Sequence, residues 1–438
     1  MENRIPDTVT THLIGVLDSG AEGLTPQALS LITQADLIIG GTRTLALFAA
    51  QISPQAERRD LTGALALVPA WIGAAQAAGQ RIVVLATGDP LCHGIGAYLL
   101  PRLAAGSCTV LPNVSTLQLA CARLGLPWQA MKILSVHGRD SGEWQPGAGP
   151  EHALYPLLQA TQYEKMLAVF TSPANTPDRI ARLLIESGRA AFFRMAVAER
   201  LAQTEERVLP DLDPAEAATL RFAEPNIVLL CRTQSAPRRI LFGLPDASYQ
   251  QRQPDKGLIT KREVRAVSLA RMQLCADSIV WDIGAGSGAV GLEVARLCPA
   301  GHVYAIEKNA DDFAIASANQ RAADTGNYTL IHGKAPQGLA HWPDPDAVFV
   351  GGSGGELAAL IPLLLSRLKA HGTLVMNFVC LENLALAMTA LKAADAYWDV
   401  TQIQTARSRP LLDMHRLAAE TPVWVVVATK ADSEPPQI

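Results

Sequence analysis

Long hydrophobic runs are what this sequence most plainly lacks. Although 49% of its 438 residues are hydrophobic, no stretch approaches the ~18 apolar residues that span a bilayer, so no membrane partner is expected. The segment Met1–Asp7 is interrupted by charge and proline and does not resemble a secretory leader, which puts the expected location in the cytoplasm. Blocks of like charge are missing too. With 37 basic residues against 41 acidic ones and a net charge of −4, the chain has no nucleic-acid tail, and no nucleic-acid partner is expected. An anionic ligand must find its positive charge locally. The 7 cysteines form no C-x-x-C pair, which argues against a disulfide framework or a zinc ribbon. The 9 histidines show no H-x-x-x-H or H-E-x-x-H spacing, so no metal site is expected.

What is present is a repeated alternation of short β-rich runs with longer helical patterns, the mark of an α/β chain. At about 100–200 residues per domain the length implies more than one unit. In the first half the strand candidates are 12–16, 37–39, 81–86, 109–111, 133–136, 167–170, 192–197 and 227–230. The pattern dissolves in Gln234–Arg239 and again in Gln250–Pro254, which read as a linker and divide the chain into domains 1–235 and 236–438. A second series follows: helix 260–274, strand 279–282, helix 289–297, strand 302–306, helix 310–323, strands 328–332 and 347–350, helix 356–368 and strand 373–378. Two β-type runs, 397–405 and 422–429, are expected to close it as an antiparallel edge pair.

The sharpest local signal is Ile279–Gly288, an apolar strand running into Gly284, Ala285, Gly286, Ser287 and Gly288 and then a helix with Val290, Val294 and Leu297 on one face. Glycines let a ligand approach the helix N-terminus, whose free N–H groups favour a carboxylate or phosphate. Glu307 ends the next strand roughly 20 positions on, where a ribose-binding carboxylate is expected. Gly284-x-Gly286-x-x-Ala289 also satisfies the dinucleotide fingerprint, so a nicotinamide-dependent oxidoreductase is one reading. Asp282 argues the other way. A carboxylate beside the loop would repel a pyrophosphate but suits S-adenosylmethionine, whose methionine end carries an ammonium and a sulfonium. A capping role for Asp282 is the plain alternative.

Upstream, Thr260 and Glu263 read as a capping box opening a helix that carries Lys261, Arg262 and Arg265 on one face. At a helix start such cations favour anions, so these three, with Arg407 and Arg409 in the stretch before the last strand, are candidates for binding a polycarboxylate. Gly351, Gly352 and Ser353 remove bulk where a wide substrate would lie. Asn377 and Glu382 are candidates for hydrogen bonding or proton traffic in catalysis, with packing or capping as the alternative. In the first half, Gly88-Asp89-Pro90 is either an ordinary turn or a site. His93 and His137, each beside a glycine, read as exposed loop residues, with substrate contact as the alternative.

The motifs together resemble a known family. Gly257–Arg265, Trp281–Gly288, Val303–Asn309, His332–Pro336 and Asp346–Gly355 are similar to the decarboxylating half of the precorrin-6Y C5,15-methyltransferase family of cobalamin synthesis. Gly23–Pro26, Ala35–Gly40, Ala86–Pro90, Pro112–Thr116 and Phe222–Leu230 resemble the tetrapyrrole methylase fold. The resemblance implies a two-lobed methylase domain followed by a Rossmann-like one, each using S-adenosylmethionine. It further implies methylation of a tetrapyrrole at two meso carbons with decarboxylation of the ring C acetate, by a homo-oligomer. By the same resemblance, Asp89, Cys92, Ser115 and Thr116 would contact the first cofactor, and Thr260, Gly284–Gly288, Glu307, Gly333 and Ala335 the second. One position departs from the pattern: Leu17 stands where the fold commonly has a second glycine, which leaves open a binding protein with an inactive first domain.

Overall fold

The computed structural model describes residues 10–234, 240–252, 259–323 and 325–430. Gly257, Ser235–Arg239 of the expected linker, and its Gln253 and Pro254, lie outside the described residues. The chain divides into two compact units, Met1–Trp144 with Pro156–Ser235, and Gln145–Tyr155 with Ala236–Ile438. The short segment Gln145–Tyr155 therefore belongs with the second unit, although it lies inside the sequence of the first.

The first unit contains two five-stranded sheets. Strands β1 (Thr11–Val16), β2 (Leu37–Gly40), β3 (Glu57–Asp60), β4 (Ile82–Thr87) and β5 (Cys108–Leu111) form a parallel sheet in the order β3-β2-β4-β1-β5. Its central strands are continuous apolar runs because both faces are covered. Leu13, Leu37 and Val84 pack on Ile72 on one side, while Ile14, Ile38 and Val83 pack on Ile32 and Phe48 on the other. The polar β3, Glu-Arg-Arg-Asp, occupies an edge, so it carries no apolar pattern to read. The second sheet comprises β6 (Lys132–Ser135), β7 (Met166–Phe170), β8 (Phe193–Glu199), β9 (Arg207–Leu212) and β10 (Asn226–Arg232) in the order β6-β7-β10-β8-β9. Only β6 and β7 run parallel; the rest pair antiparallel.

The second unit is a seven-stranded sheet. Its strands β11 (Ile279–Ile283), β12 (His302–Glu307), β13 (Tyr328–His332), β14 (Ala347–Val350) and β15 (Thr373–Phe378) are parallel, β13-β12-β11-β14-β15. Beyond β15 come β19 (Val423–Thr429) and then β16 (Tyr397–Ile403) at the edge, both reached by antiparallel pairing. The stretch between them folds into a hairpin of β17 (Ala406–Leu411) and β18 (Met414–Ala419), so Arg407 and Arg409 sit on a strand. The helix Leu381–Ala393 was also absent from the sequence reading.

Among the described residues no helix is long and apolar enough to cross a membrane, and no three metal-ligating side chains gather. All 7 cysteines are free thiols.

Candidate active sites

In the second unit the carboxyl ends of β11, β12, β13 and β14 lie side by side, the position where open α/β sheets bind ligands. A cleft of about 310 Å³ opens there. Its floor comes from Gly284 and Gly286 after β11, Glu307 at the end of β12, and Gly333 and Ala335 after β13. Gly351, Gly352 and Ser353, after β14, form the opposite wall. Gly284 needs to be glycine twice over: its φ is +72°, and a Cβ would stand 2.4 Å from the carbonyl oxygen of Gly352. The two loops touch backbone to backbone, so no side chain stands between them.

Glu307 is the anchor of the arrangement. Only 6% exposed, its carboxylate accepts from the amide of Gly286 at 2.8 Å and from that of Asn309 at 2.8 Å. Each oxygen keeps a further lone pair for a hydroxyl in the cleft. Lys308 and Lys334 also line the cleft, and a side chain on Gly354 would run against both. Lys334 forms an exposed ion pair with Glu356 at 2.7 Å, a contact of small worth in water. Lys308 has no ion pair among the described residues. Arg252, Asn309 and Asp312 line it too, with Arg252 paired to Asp312 at 2.8 Å, and Ile283 and Ile306 add apolar surface. The sequence reading missed these side chains. Lys308 was accessible to it, as the residue following the strand-terminal carboxylate.

Several expected residues stand elsewhere. Asp282 does not line the cleft: 1% exposed, it faces the helix Ala289–Leu297 and accepts from the amide of Gly291 at 3.1 Å. Burial raises its pKa to about 7. It anchors the helix behind the loop, so its charge no longer separates S-adenosylmethionine from a dinucleotide. Ala285, Ser287 and Gly288 belong to the turn without lining the cleft. Thr260 also lies off it. The N-cap of the helix Arg262–Arg271 is Lys261, with no side-chain cap, and the carbonyl of Thr260 accepts from Arg265 Nη1 at 2.6 Å.

Arg265 is a correction to the expected basic rim. It is wholly buried, bonded to Glu293 at 2.8 Å and to Asp246 at 3.2 Å, and offers nothing to a ligand. The helical pattern placed it with Lys261 and Arg262, but acidic partners from outside the helix drew it inward. Arg407 pairs with Glu263 and, at 2.8 Å, with Asp246. Arg262 lies 3.8 Å from Glu263 and Arg409 3.9 Å from Glu420, both cations exposed. Lys261 is half-buried at the start of its helix. None of these five lines the cleft. Asn377 and Glu382 are not brought to it either. Asn377 donates to Ser268 Oγ at 2.9 Å, and Glu382 is exposed in the first turn of Leu381–Ala393.

In the first unit, the loops after β1, β4 and β5 converge. A Cβ on Gly15 would lie 2.2 Å from the Gly88 carbonyl oxygen and 2.7 Å from the Asn113 amide. Asn113 Nδ2 donates to the carbonyls of Gly15 and Gly23 at 3.2 and 2.9 Å, tying these loops together. Asp89 accepts from the Leu91 amide at 2.9 Å, and Ser115 caps the helix Thr116–Leu124 in a box with Gln118. Cys92 lies beside both: burial and the charge of Asp89 raise its pKa, and a hydrogen bond with Ser115 opposes them. Of the four expected contacts, Thr116 lines a recess of about 40 Å³. That recess also takes in Leu17, Asp18, Thr87, Gly88 and Leu201. Asp18 holds it together by accepting from Gln203 Nε2 at 2.8 Å and pairing with Arg43 at 2.6 Å.

Two family models match the chain, Tetrapyrrole (Corrin/Porphyrin) Methylases over residues 10–213 and Precorrin methyltransferase domain over residues 253–430. A precorrin-6Y C(5,15)-methyltransferase (decarboxylating) from Sinorhizobium sp. is 31% identical over 402 residues, which covers 89% of each chain. The chain belongs to the precorrin-6Y C5,15-methyltransferase family. Another relative bearing that family's name, from Mycobacterium tuberculosis (strain CDC 1551 / Oshkosh), is 30% identical over 85% of this chain and 87% of its own. A cobalt-precorrin-6B C(15)-methyltransferase (decarboxylating) from Salmonella typhimurium is 36% identical over 176 residues, 40% of this chain and 91% of its own. Membership in the precorrin-6Y C5,15-methyltransferase family accounts for two α/β units of different topology on one chain, which neither glycine loop could do alone.

Proposed function

We propose that this chain transfers methyl groups from S-adenosylmethionine to meso carbons 5 and 15 of precorrin-6Y and removes the ring C acetate carboxyl as carbon dioxide, a step of cobalamin biosynthesis. The observation that carries this reading is the family match along 89% of the chain, across both units. The Salmonella relative, named for C15 and decarboxylation, aligns over 176 residues, room for one unit. The Precorrin methyltransferase domain model matches residues 253–430, a span of similar length in the second unit, so we assign C15 methylation and decarboxylation to that unit and C5 methylation to the first. A cytoplasmic location and a homo-oligomeric state go with this proposal.

The second cleft suits the cofactor on three grounds. Glu307 offers carboxylate lone pairs to ribose hydroxyls; the glycine loops let backbone approach closely; and Gly352 has open space where a side chain would stand. When bound, S-adenosylmethionine supplies the electrophilic methyl. The protein's part is positioning and exclusion of water, which account for much of the acceleration in such transfers. Gly351, Gly352 and Ser353 leave room for a flat macrocycle beside the cofactor, and Lys308 and Lys334 supply positive charge for its carboxylates. In the first unit the recess, at about 40 Å³, would take only part of the cofactor. The neighbouring Asp89–Cys92 turn and Ser115–Thr116 helix start add backbone, thiol and hydroxyl groups around it.

The nicotinamide alternative gains nothing from the two family models or from the Sinorhizobium relative, each of which is named for methyl transfer. The deciding experiment incubates the whole chain with precorrin-6Y and methyl-labelled S-adenosylmethionine and weighs the product. Two methyls gained and one carbon dioxide lost is the expected result. Tight dinucleotide binding without methyl transfer would overturn the proposal.

A further inference from the structure

The residues lining the recess of the first unit include one charged side chain, and it is an acid: Asp18. That side chain is only 9% exposed, and a carboxylate withdrawn from water is costly unless a partner compensates it. Arg43 Nη1 and Gln203 Nε2 both donate to Oδ2, at 2.6 and 2.8 Å. Among the described residues Oδ1 accepts no hydrogen bond. The Arg43 side chain is half exposed, so water screens its pairing and leaves much of the Asp18 charge to be met by a ligand.

Asp18 is fixed from both sheets of the unit. The carbonyl of Leu17 accepts from the amide of Gly20 at 3.1 Å, which turns the chain directly after β1, and that of Val16 accepts from the Gly88 amide at 2.7 Å. Gln203 comes from the other sheet, in the connection between β8 and β9. Glu206 braces that connection by accepting from the Ala202 amide at 2.8 Å and pairing with Arg123. Thr116, also in the lining, opens the helix Thr116–Leu124. The Gln118 amide donates to Ser115 Oγ, whereas the amides of Thr116 and Leu117 meet no acceptor among the described residues. A Cβ on Gly88 would stand 3.4 Å from the Thr116 nitrogen, so glycine keeps that amide uncovered.

We propose that Asp18 receives the ammonium of S-adenosylmethionine in the first unit, with the start of the helix Thr116–Leu124 receiving its carboxylate. This rests on the methylation assigned above. A carboxylate only accepts, so its partner must be a donor, and a cation gains most. Free amides at a helix start favour an anion. The amino-acid end of the cofactor is the part that carries both, since its adenine and ribose are uncharged. The recess, at about 40 Å³, has room for a group of a few atoms and none for adenosine. A propionate or acetate of the tetrapyrrole would meet Asp18 as a like charge and be turned away.

The test uses the full chain with precorrin-6Y. The first unit's methyl addition is counted as methyls gained beyond carbon dioxide lost, and its KM for S-adenosylmethionine is compared with its inhibition constant for 5′-methylthioadenosine. That inhibitor keeps the adenosine and lacks ammonium, carboxylate and sulfonium alike. Asp18→Asn retains an oxygen for Arg43 and Gln203 while removing the charge. It should raise the KM about tenfold or more, leave the inhibition constant within about twofold, and leave the urea midpoint unchanged. Arg43→Ala removes the competing cation and should lower the KM. An unchanged KM in Asp18→Asn overturns the assignment, as does an inhibition constant that rises in step with it, which would mark a structural role. A KM that rises in Arg43→Ala overturns it too. A wild-type chain that gains no methyl beyond carbon dioxide lost would instead sink the methylation assigned to the first unit.

Discussion

Arg265 and Glu293 meet 2.8 Å apart with neither side chain exposed to solvent. Glu293 also accepts from Tyr249 Oη at 3.0 Å and from the amides of Gly243 and Leu244 at 2.6 and 3.2 Å. Gly243, Leu244 and Tyr249 lie in the segment before the helix Arg262–Arg271 and Arg265 within it, so Glu293 clasps both to the helix Ala289–Leu297. Arg265→Ala leaves a buried carboxylate without its cation, a loss of about 3–5 kcal/mol. Urea unfolding should show that loss, while Lys261→Ala, with no buried partner, should stay within about 0.5 kcal/mol of wild type.

Glu307 and Asp282 should separate in cofactor titrations. Removing a hydrogen bond to a charged group costs about 1.5–3 kcal/mol, tenfold or more in affinity. Glu307→Gln is expected to weaken S-adenosylmethionine binding at the second site by that much. Asp282→Asn keeps an acceptor for the Gly291 amide and should leave affinity nearly unchanged. Calorimetry that ranks the two in the opposite order would mean that Asp282 reaches the ligand after all.

Acid stability should carry two opposed signatures. Burial lifts Asp282 from the usual 3.8 to about 7. The folded state thus keeps a proton that the unfolded chain has lost, and this contribution to stability, full below about pH 4, disappears as pH rises to 7. His302, 1% exposed and hydrogen-bonded to Thr329, is pushed from 6.5 down to about 4 by burial. Its contribution is full above pH 6.5 and is lost as pH falls toward 4. Asp282→Asn removes the first slope and leaves the second. The stability of the variant relative to wild type should therefore climb between pH 4 and 7, as read from urea midpoints; a flat difference would contradict the raised pKa.

Gly284→Ala tests the backbone contact between the loops after β11 and β14. The new methyl would meet the Gly352 carbonyl at 2.4 Å in a left-handed conformation. A destabilisation of about 1–3 kcal/mol is expected, together with loss of S-adenosylmethionine binding at the second site and retention at the first.

The hairpin of β17 and β18 exposes Leu412 at 92%, Leu417 at 73% and Met414 at 60%. Clustered apolar exposure of this kind marks association surfaces. If copies of the chain associate through it, Leu412→Asp with Leu417→Asp should lower the mass measured by light scattering without lowering the unfolding midpoint. An unchanged mass would place any association elsewhere.

Much of this architecture was written in local sequence. The runs Ala347–Val350 and Thr373–Phe378 are strands where they were expected, because central strands covered on both faces must be nearly continuously apolar. The glycine loop and Glu307 were legible for a similar reason: close backbone approach and a strand-terminal carboxylate each demand one residue type at one place. The polar edge strand Glu57–Asp60 and the exposed hairpin 406–419 left no such trace, since neither buries a continuous face. Tertiary structure alone decided where charges point. Asp282 reads as a ligand to a cation and Arg265 as a surface cation until Gly291, Glu293 and Asp246 are seen beside them. A helix's periodicity says which residues share a face, and only the elements packed against that face determine whether it meets water, a ligand or a buried partner.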